Sequence, residues 1–239
     1  VIDGGGTPDG SFDPGERVVA PFLWQMKNKS VDYMVNSHPH PDHLQGLIFL
    51  LENFTVGQVW NNGEEAEDPD IAERFLTLAG ERLQTMGREE STLEVGDVLV
   101  EFLHPSFNPE RGQSLSGNDA SLVLRLAFGE VSFIFPGDVE SSAEGEILKT
   151  GVSLRSTVLK VPHHGSKTSS TQDFIEAVRP QFAVFTVRGG ARPRLPNPGV
   201  LERYEAMGVK ILRSDQHGAI TFVTDGKDLR VQTFMGKGN

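Results

Sequence analysis

No cysteine occurs among the 239 residues, so disulfides and thiolate-held metals are excluded. Any metal site must be built from histidine, aspartate or glutamate, and the redox compartment is left open. No apolar run approaches the ~18 residues of a membrane span. The longest compact one, Leu47-Ile48-Phe49-Leu50-Leu51, reads as core, so the sequence carries no transmembrane segment. An initiator methionine and a signal peptide are also missing. Val1 falls inside what reads as a strand, Val1-Ile2-Asp3, as expected for a fragment of a longer protein. There is no Gly-x-Ser-x-Gly motif, and Gly4-Gly5-Gly6 lacks the lysine and following helix of a phosphate loop.

What is present is a globular composition. Hydrophobic residues make up 37%, with 26 glycines besides, and the length is ample for a buried core. The formal net charge of −11 would by itself argue against a nucleic-acid partner. That charge is unevenly spread. Residues 61–101 hold twelve acids and three bases, a net of −9, whereas residues 149–213 hold eleven bases and four acids, a net of +7.

Strand-like and helix-like stretches alternate along the chain without a linker or an internal repeat. After Val1-Ile2-Asp3, helix is expected over Glu16 to Met26, strand over Val31 to Val35, and loop from His38 to His43 with helix from Leu44 to Glu52. Strand Val56 to Trp60 and helix Asp70 to Met86 follow, the latter burying Ile71, Phe75, Leu78 and Leu83. Strands are expected near Val98–Leu103, Ala120–Phe128 and Val131–Phe135, the last two joined at Gly129-Glu130. Then come helix Ser141–Lys149, strand Thr157–Val161, helix Ser170–Val178, strand Ala183–Val187 and helix Gly199–Met207. Strands Lys210–Leu212, Ala219–Val223 and Leu229–Phe234 close the chain. The pattern is that of one α/β (or α+β) domain over residues 1–239.

The strongest chemical signal is His38-Pro39-His40-Pro41-Asp42-His43. Alternate side chains of an extended loop point the same way, so His38 and His40 can reach one metal ion, while Asp42 and His43 turn into the helix start toward a second position. The prolines stiffen the loop. Asp138, emerging from a hydrophobic strand through Pro136-Gly137, can bridge two cations with its two oxygens. Lys160-Val161-Pro162-His163-His164-Gly165-Ser166-Lys167 offers one further histidine ligand, either His163 or His164, and polar groups for substrate. Weaker candidates are Asp3, which can orient a ligand histidine, His104, His217, Asn118 and Ser121.

The order Ile-Asp-Gly-Gly, His-x-His-x-Asp-His, Gly-Asp resembles the metallo-β-lactamase superfamily. Phe12-Asp13-Pro14-Gly15-Glu16-Arg17, Asn118-Asp119-Ala120-Ser121-Leu122 and Val161-Pro162-His163-His164-Gly165-Ser166 narrow the likeness to the C-terminal domain of ComEC-type DNA-internalisation competence proteins. That resemblance implies an αββα sandwich, here without its first strands, with a metal site at one edge. It implies His38, His40, Asp42, His43, Asp138 and His163 as metal-site residues, with His164 as the alternative to His163, and Asp42, Asp138 and His164 as the catalytic groups. It further implies one or two divalent ions, Zn²⁺ or Mn²⁺, and a bacterial inner-membrane parent with this domain outside the cytoplasm. There, the resemblance implies, the domain would degrade the DNA strand that is not imported. The family often has Gly-His-Pro near the end, where this sequence has Pro196-Asn197-Pro198, which leaves a weaker second metal position open.

Metal-assisted phosphodiester hydrolysis of single-stranded DNA is therefore the expected activity, with Asn118, Ser166, Lys167, Arg188, Arg192 and Arg194 expected to contact substrate. Few aromatics accompany the arginines, so the contact expected is to the backbone. Two rivals stand beside it: a hydrolase of another ester, such as a phosphocholine ester or a lactone, and a metal-poor domain that docks on the membrane-channel domains of the parent protein.

Overall fold

The structure, a computed structural model, describes residues 1–7, 10–90, 92–106, 115–189 and 195–235. It divides into two compact units, Val1–Gly87 with Phe107–Leu122, and Arg88–Ser106 with Val123–Asn239. Among the described residues no helix is long and apolar enough to cross a membrane.

The first unit is built on three parallel strands, β1 (Ser30–Val35), β2 (Thr55–Asn61) and β3 (Leu83–Thr85), in that order. A π-helical turn over Gly15–Val19 runs into α1 (Ala20–Gln25), where one helix was expected. The crossovers carry α2 (Pro41–Asn53) and α3 (Pro69–Ala79). Met34, Leu44, Leu47, Leu50 and Val59 lose essentially all contact with solvent and form the centre of its core. Val1-Ile2-Asp3 is not a full strand; Ile2 makes a single parallel bridge with Val35. The helix expected from Asp70 to Met86 ends seven residues early, because Gly80 takes a left-handed φ of 55° that stops it. Leu83, expected on the helix stripe, instead pairs with Val59 in β3. At the other end Asp68 caps α3, accepting from the Asp70 and Ile71 N–H groups.

The second unit holds a seven-stranded sheet in the order β10-β9-β8-β7-β6-β5-β4. Its strands are β4 (Thr92–Val95), β5 (Val98–His104), β6 (Val123–Phe128), β7 (Val131–Phe135), β8 (Val158–Lys160), β9 (Phe182–Phe185) and β10 (Lys210–Arg213). The hairpin expected at Gly129-Glu130 joins β6 to β7. From β7 to β10 neighbours run parallel; from β4 to β7 they run antiparallel. The connections carry α4 (Ser141–Lys149), α5 (Gln172–Val178), α6 (Pro198–Ala206) and the single turn α7 (Ser214–His217). A hairpin of β11 (Ile220–Thr224) and β12 (Leu229–Thr233) follows. β4 and α7 were not anticipated, being too short for a periodic pattern. The strand expected from Ala120 starts at Val123, because residues 117–120 form a 3₁₀ turn.

Glycine decides one close contact in the first unit. The Gly4 N–H donates to the His43 carbonyl (2.7 Å) and the Gly46 N–H to the Gly5 carbonyl (2.9 Å), drawing α2 onto the N-terminal segment. A methyl group on Gly46 would overlap the Gly4 carbonyl oxygen and the Gly15 nitrogen, neither of which can rotate away. Gly46→Ala should lower the unfolding free energy by about 2 kcal/mol or more, read as a lower denaturant midpoint at unchanged slope.

In the second unit Glu144 of α4 is fully buried. Burial pushes its carboxyl above the usual range, opposed by hydrogen bonds from Thr171 and Ser170 and by the charge of Arg203. A group raised in the folded state contributes most stability when protonated, and that contribution fades as pH climbs through its folded pKa. On raising pH from about 4.5, the ordinary value for a glutamate, wild type should lose stability that Glu144→Gln does not lose. Melting curves of the two chains from pH 4 to 8 would measure this; parallel profiles would refute it.

Candidate functional site

In the first unit the candidate ligands cluster where β1 ends. His40 is the N-cap of α2 and Pro41 occupies its first turn, where a missing N–H costs nothing. Asp42 and His43 therefore lie inside the helix, not in the loop expected for them; the helix N-terminus also favours the Asp42 carboxylate. The His38 ring lies 4.5 Å from that of His40 and 4.2 Å from that of His43, centroid to centroid. His38 and His43 are buried.

Asp3 organises this cluster. Its Oδ1 accepts from the Ser37 N–H (2.7 Å), and its Oδ2 accepts from the Ser37 hydroxyl (2.8 Å) and from His43 Nδ1 (2.7 Å). A carboxylate can only accept, so the His43 proton is assigned to Nδ1 and the lone pair to Nε2, the tautomer a metal ligand needs. With its own proton given to Asp3, the Ser37 oxygen accepts from His38 Nδ1 at 3.1 Å, which selects the same tautomer there. Burial alone would raise the Asp3 carboxyl. The charge and hydrogen bond of His43, the Ser37 N–H and the charge of His38 outweigh it and hold the group below its usual range. Asp3 has a left-handed φ of 54°, unfavourable for a residue with a side chain. Its backbone N–H is fixed to the Val35 carbonyl (2.9 Å).

In the second unit three turns lie side by side because β7, β8 and β9 are adjacent and parallel. Asp138, buried, follows β7; the His163–His164 turn follows β8; Thr186 follows β9. Lys160 Nζ donates to Asp138 Oδ1 (3.2 Å) and to the Gly137 carbonyl (3.1 Å). His164 Nδ1 donates to the Thr186 carbonyl (2.8 Å), and its Nε2 stands 3.4 Å from Asp138 Oδ2. His163 turns to Glu140 instead, Nδ1 to Oε1 at 2.9 Å, with its Nε2 3.9 Å from Asp138. Both histidines have left-handed backbones, φ 45° and 52°.

Asn118 is half-buried in the turn at residues 117–120, its carbonyl accepting from the N–H of buried Ser121 (3.1 Å). Ser166 is half-buried with its hydroxyl 2.9 Å from that of Thr168; Lys167 and Arg188 are exposed. Arg192 and Arg194 lie outside the described residues. His104 is buried at the end of β5, facing Val123 of β6 in register. His217 closes α7, its Nδ1 3.0 Å from the Arg213 backbone nitrogen. Asn197 Oδ1 accepts from the Gly199 N–H (3.0 Å), capping α6. Lys160, Glu140 and Thr186 were given no role from the sequence, since each acts on a partner about 20 or more residues away.

The donor set fits a divalent cation. Imidazoles fixed by hydrogen bonds at Nδ1, together with carboxylates and no thiolate, suit Zn²⁺ and Mn²⁺ alike. In the first unit His38, His40, Asp42 and His43 are candidate ligands; in the second, Asp138 and His164 are.

The metallo-beta-lactamase superfamily model matches residues 1–185, and the chain belongs to that superfamily. It is 32% identical over 235 residues to ComE operon protein 3 of Bacillus subtilis, covering 93% of this chain and 30% of that protein. It is 32% identical over 214 residues to competence protein ComA of Neisseria gonorrhoeae, covering 89% and 28%. The chain thus spans under a third of the length of these relatives. Its fold is also similar to that of CmlA, a diiron β-hydroxylase from Streptomyces venezuelae. The TM-score is 0.50 at 14% identity, over 77% of this chain and 44% of that one.

Asp3→Ala removes the group that orients His43 and leaves the ligands themselves intact. Affinity for Zn²⁺, measured by titration of chelator-treated protein, should fall about 10- to 100-fold.

Proposed function

We propose that the chain is a metal-dependent phosphodiester hydrolase, a nuclease acting on single-stranded DNA during DNA uptake. Its ligands are His38, His40, Asp42, His43, Asp138 and, of the two adjacent histidines, His164. The observation that carries the reading is the cluster of imidazoles His38, His40 and His43, of which the Asp3 carboxylate orients His43 directly and His38 through Ser37. That arrangement is the recurring support of a ligating histidine. The choice of His164 over His163 rests on its Nδ1 bond to the Thr186 carbonyl, which directs Nε2 toward Asp138.

Bound divalent ions would supply electrophilic activation of the phosphodiester and of water. The chain's own groups do the rest. Asp138 is held by Lys160, and both lie in the second unit, whose residues 149–213 carry the net charge of +7. Ser166, Lys167 and Arg188 from that stretch offer donors to a polyanion. The acidic residues 61–101 carry none of the proposed ligands, so the overall −11 does not oppose a DNA substrate. The DNA-uptake setting, a parent protein in the bacterial inner membrane and a site outside the cytoplasm rest on the likeness to the two competence relatives.

The test is cleavage of single-stranded DNA with Mn²⁺ or Zn²⁺ by wild type, Asp138→Ala and His40→Ala. Wild type should cleave, and each variant should lose at least about a hundredfold, the scale on which removing one preorganised group acts. Equal trace cleavage by all three would defeat the proposal. A parallel assay with a phosphocholine ester and a lactone identifies the substrate if DNA is untouched.

A further inference from the structure

The mechanism leaves a buried acid without a role. Glu144 lies in the first turn of α4, the helix that starts three residues after Asp138. Its Oε1 accepts from the Ser170 N–H (2.6 Å), and its Oε2 accepts from the Thr171 N–H (2.8 Å) and the Thr171 hydroxyl (2.6 Å). Three donors on one buried carboxylate make a strong clamp between α4 and the segment after the His163–His164 turn. Other groups close the same junction. The Ser141 N–H donates to the Thr168 carbonyl (2.9 Å), and the Thr168 hydroxyl donates to Glu140 (2.7 Å). Arg203 donates to the Ser169 and Ser170 carbonyls, and the Tyr204 hydroxyl to Ser170 Oγ (3.1 Å).

The junction matters because of what its two sides carry. One side leads back along α4 to Asp138. The other leads back through Ser169, whose buried hydroxyl donates to the Pro162 carbonyl (2.9 Å), into two consecutive histidines with left-handed backbones. Ser170 is itself left-handed, φ 59°. Such backbones are costly and persist only where their surroundings fix them. Glu144 supplies three of the bonds that fix this junction.

We propose that Glu144 is a positioning residue, fixing the His163–His164 turn against the Asp138 turn so that His164 and Asp138 hold one metal ion. The proposal rests on the metal-dependent reading above. It assigns Glu144 no contact with metal or substrate.

The full chain, stripped with chelator, is titrated with Zn²⁺ and loaded with Co²⁺ for absorption spectra, as wild type, Glu144→Ala, Glu144→Gln and Val131→Ala. Val131 is buried at the far end of β7 from Asp138, so its variant loses stability without touching the junction. All measurements are made well below each variant's melting temperature. Glu144→Ala should weaken affinity at least tenfold and shift the Co²⁺ bands. Glu144→Gln, which keeps one acceptor, should fall between it and wild type, and Val131→Ala should match wild type. Should Glu144→Ala not fold, the decision passes to Glu144→Gln, expected to be at least threefold weaker than Val131→Ala. Wild-type affinity and spectrum in the Glu144 variants, or losses no larger than in Val131→Ala, would overturn the inference. Absence of metal binding by wild type would defeat the underlying reading before any variant is compared.

Discussion

Parallel strand pairing is the constraint on which the candidate chemistry depends. Parallel neighbours need a crossover that returns the chain to the same starting edge, so the carboxyl ends of adjacent strands finish side by side. In the first unit this places the His38–His43 segment at the end of β1. In the second it gathers Asp138, the His163–His164 turn and Thr186 at the ends of β7, β8 and β9, although 48 residues separate the first from the last. The antiparallel half of the second sheet carries none of the proposed ligands.

Around these strand ends, a half-buried and a buried carboxylate do two different jobs. Asp3 is kept ionised by His43 and Ser37 and sets the tautomers of His38 and His43. Glu144 is pushed the other way by burial, yet gathers three donors and ties two turns together. Both stand away from the proposed ligating atoms, Asp3 bonding the His43 ring and Glu144 the segment that follows the His163–His164 turn. Left-handed residues accompany each one: Asp3 itself, and His163, His164 and Ser170. Strain of this kind concentrates where geometry is over-determined.

Much of the fold was legible. Helix Ser141–Lys149 and strand Val131–Phe135 follow the expected bounds, because a 3.6 or 2 periodicity is undisturbed there and turn residues flank both. The long helix failed at Gly80, where one residue's backbone outweighed a continuing apolar stripe and sent Leu83 into a strand. Strand β4 is four residues long and half exposed, too little pattern to read.

By itself the sequence determined the chemistry on offer. With no cysteine, the histidine and carboxylate motifs His38–His43, Asp138 and His163-His164 name a candidate nitrogen-and-oxygen metal site. Which of the adjacent histidines faces Asp138, that Asp3 orients His43 across 40 positions, and that Glu144 reaches Ser170 and Thr171 were decided by tertiary structure alone. The reason is physical. Ligand type is a property of a side chain, whereas its direction and tautomer depend on hydrogen-bond partners that only the packed sheets and crossovers bring within 3 Å.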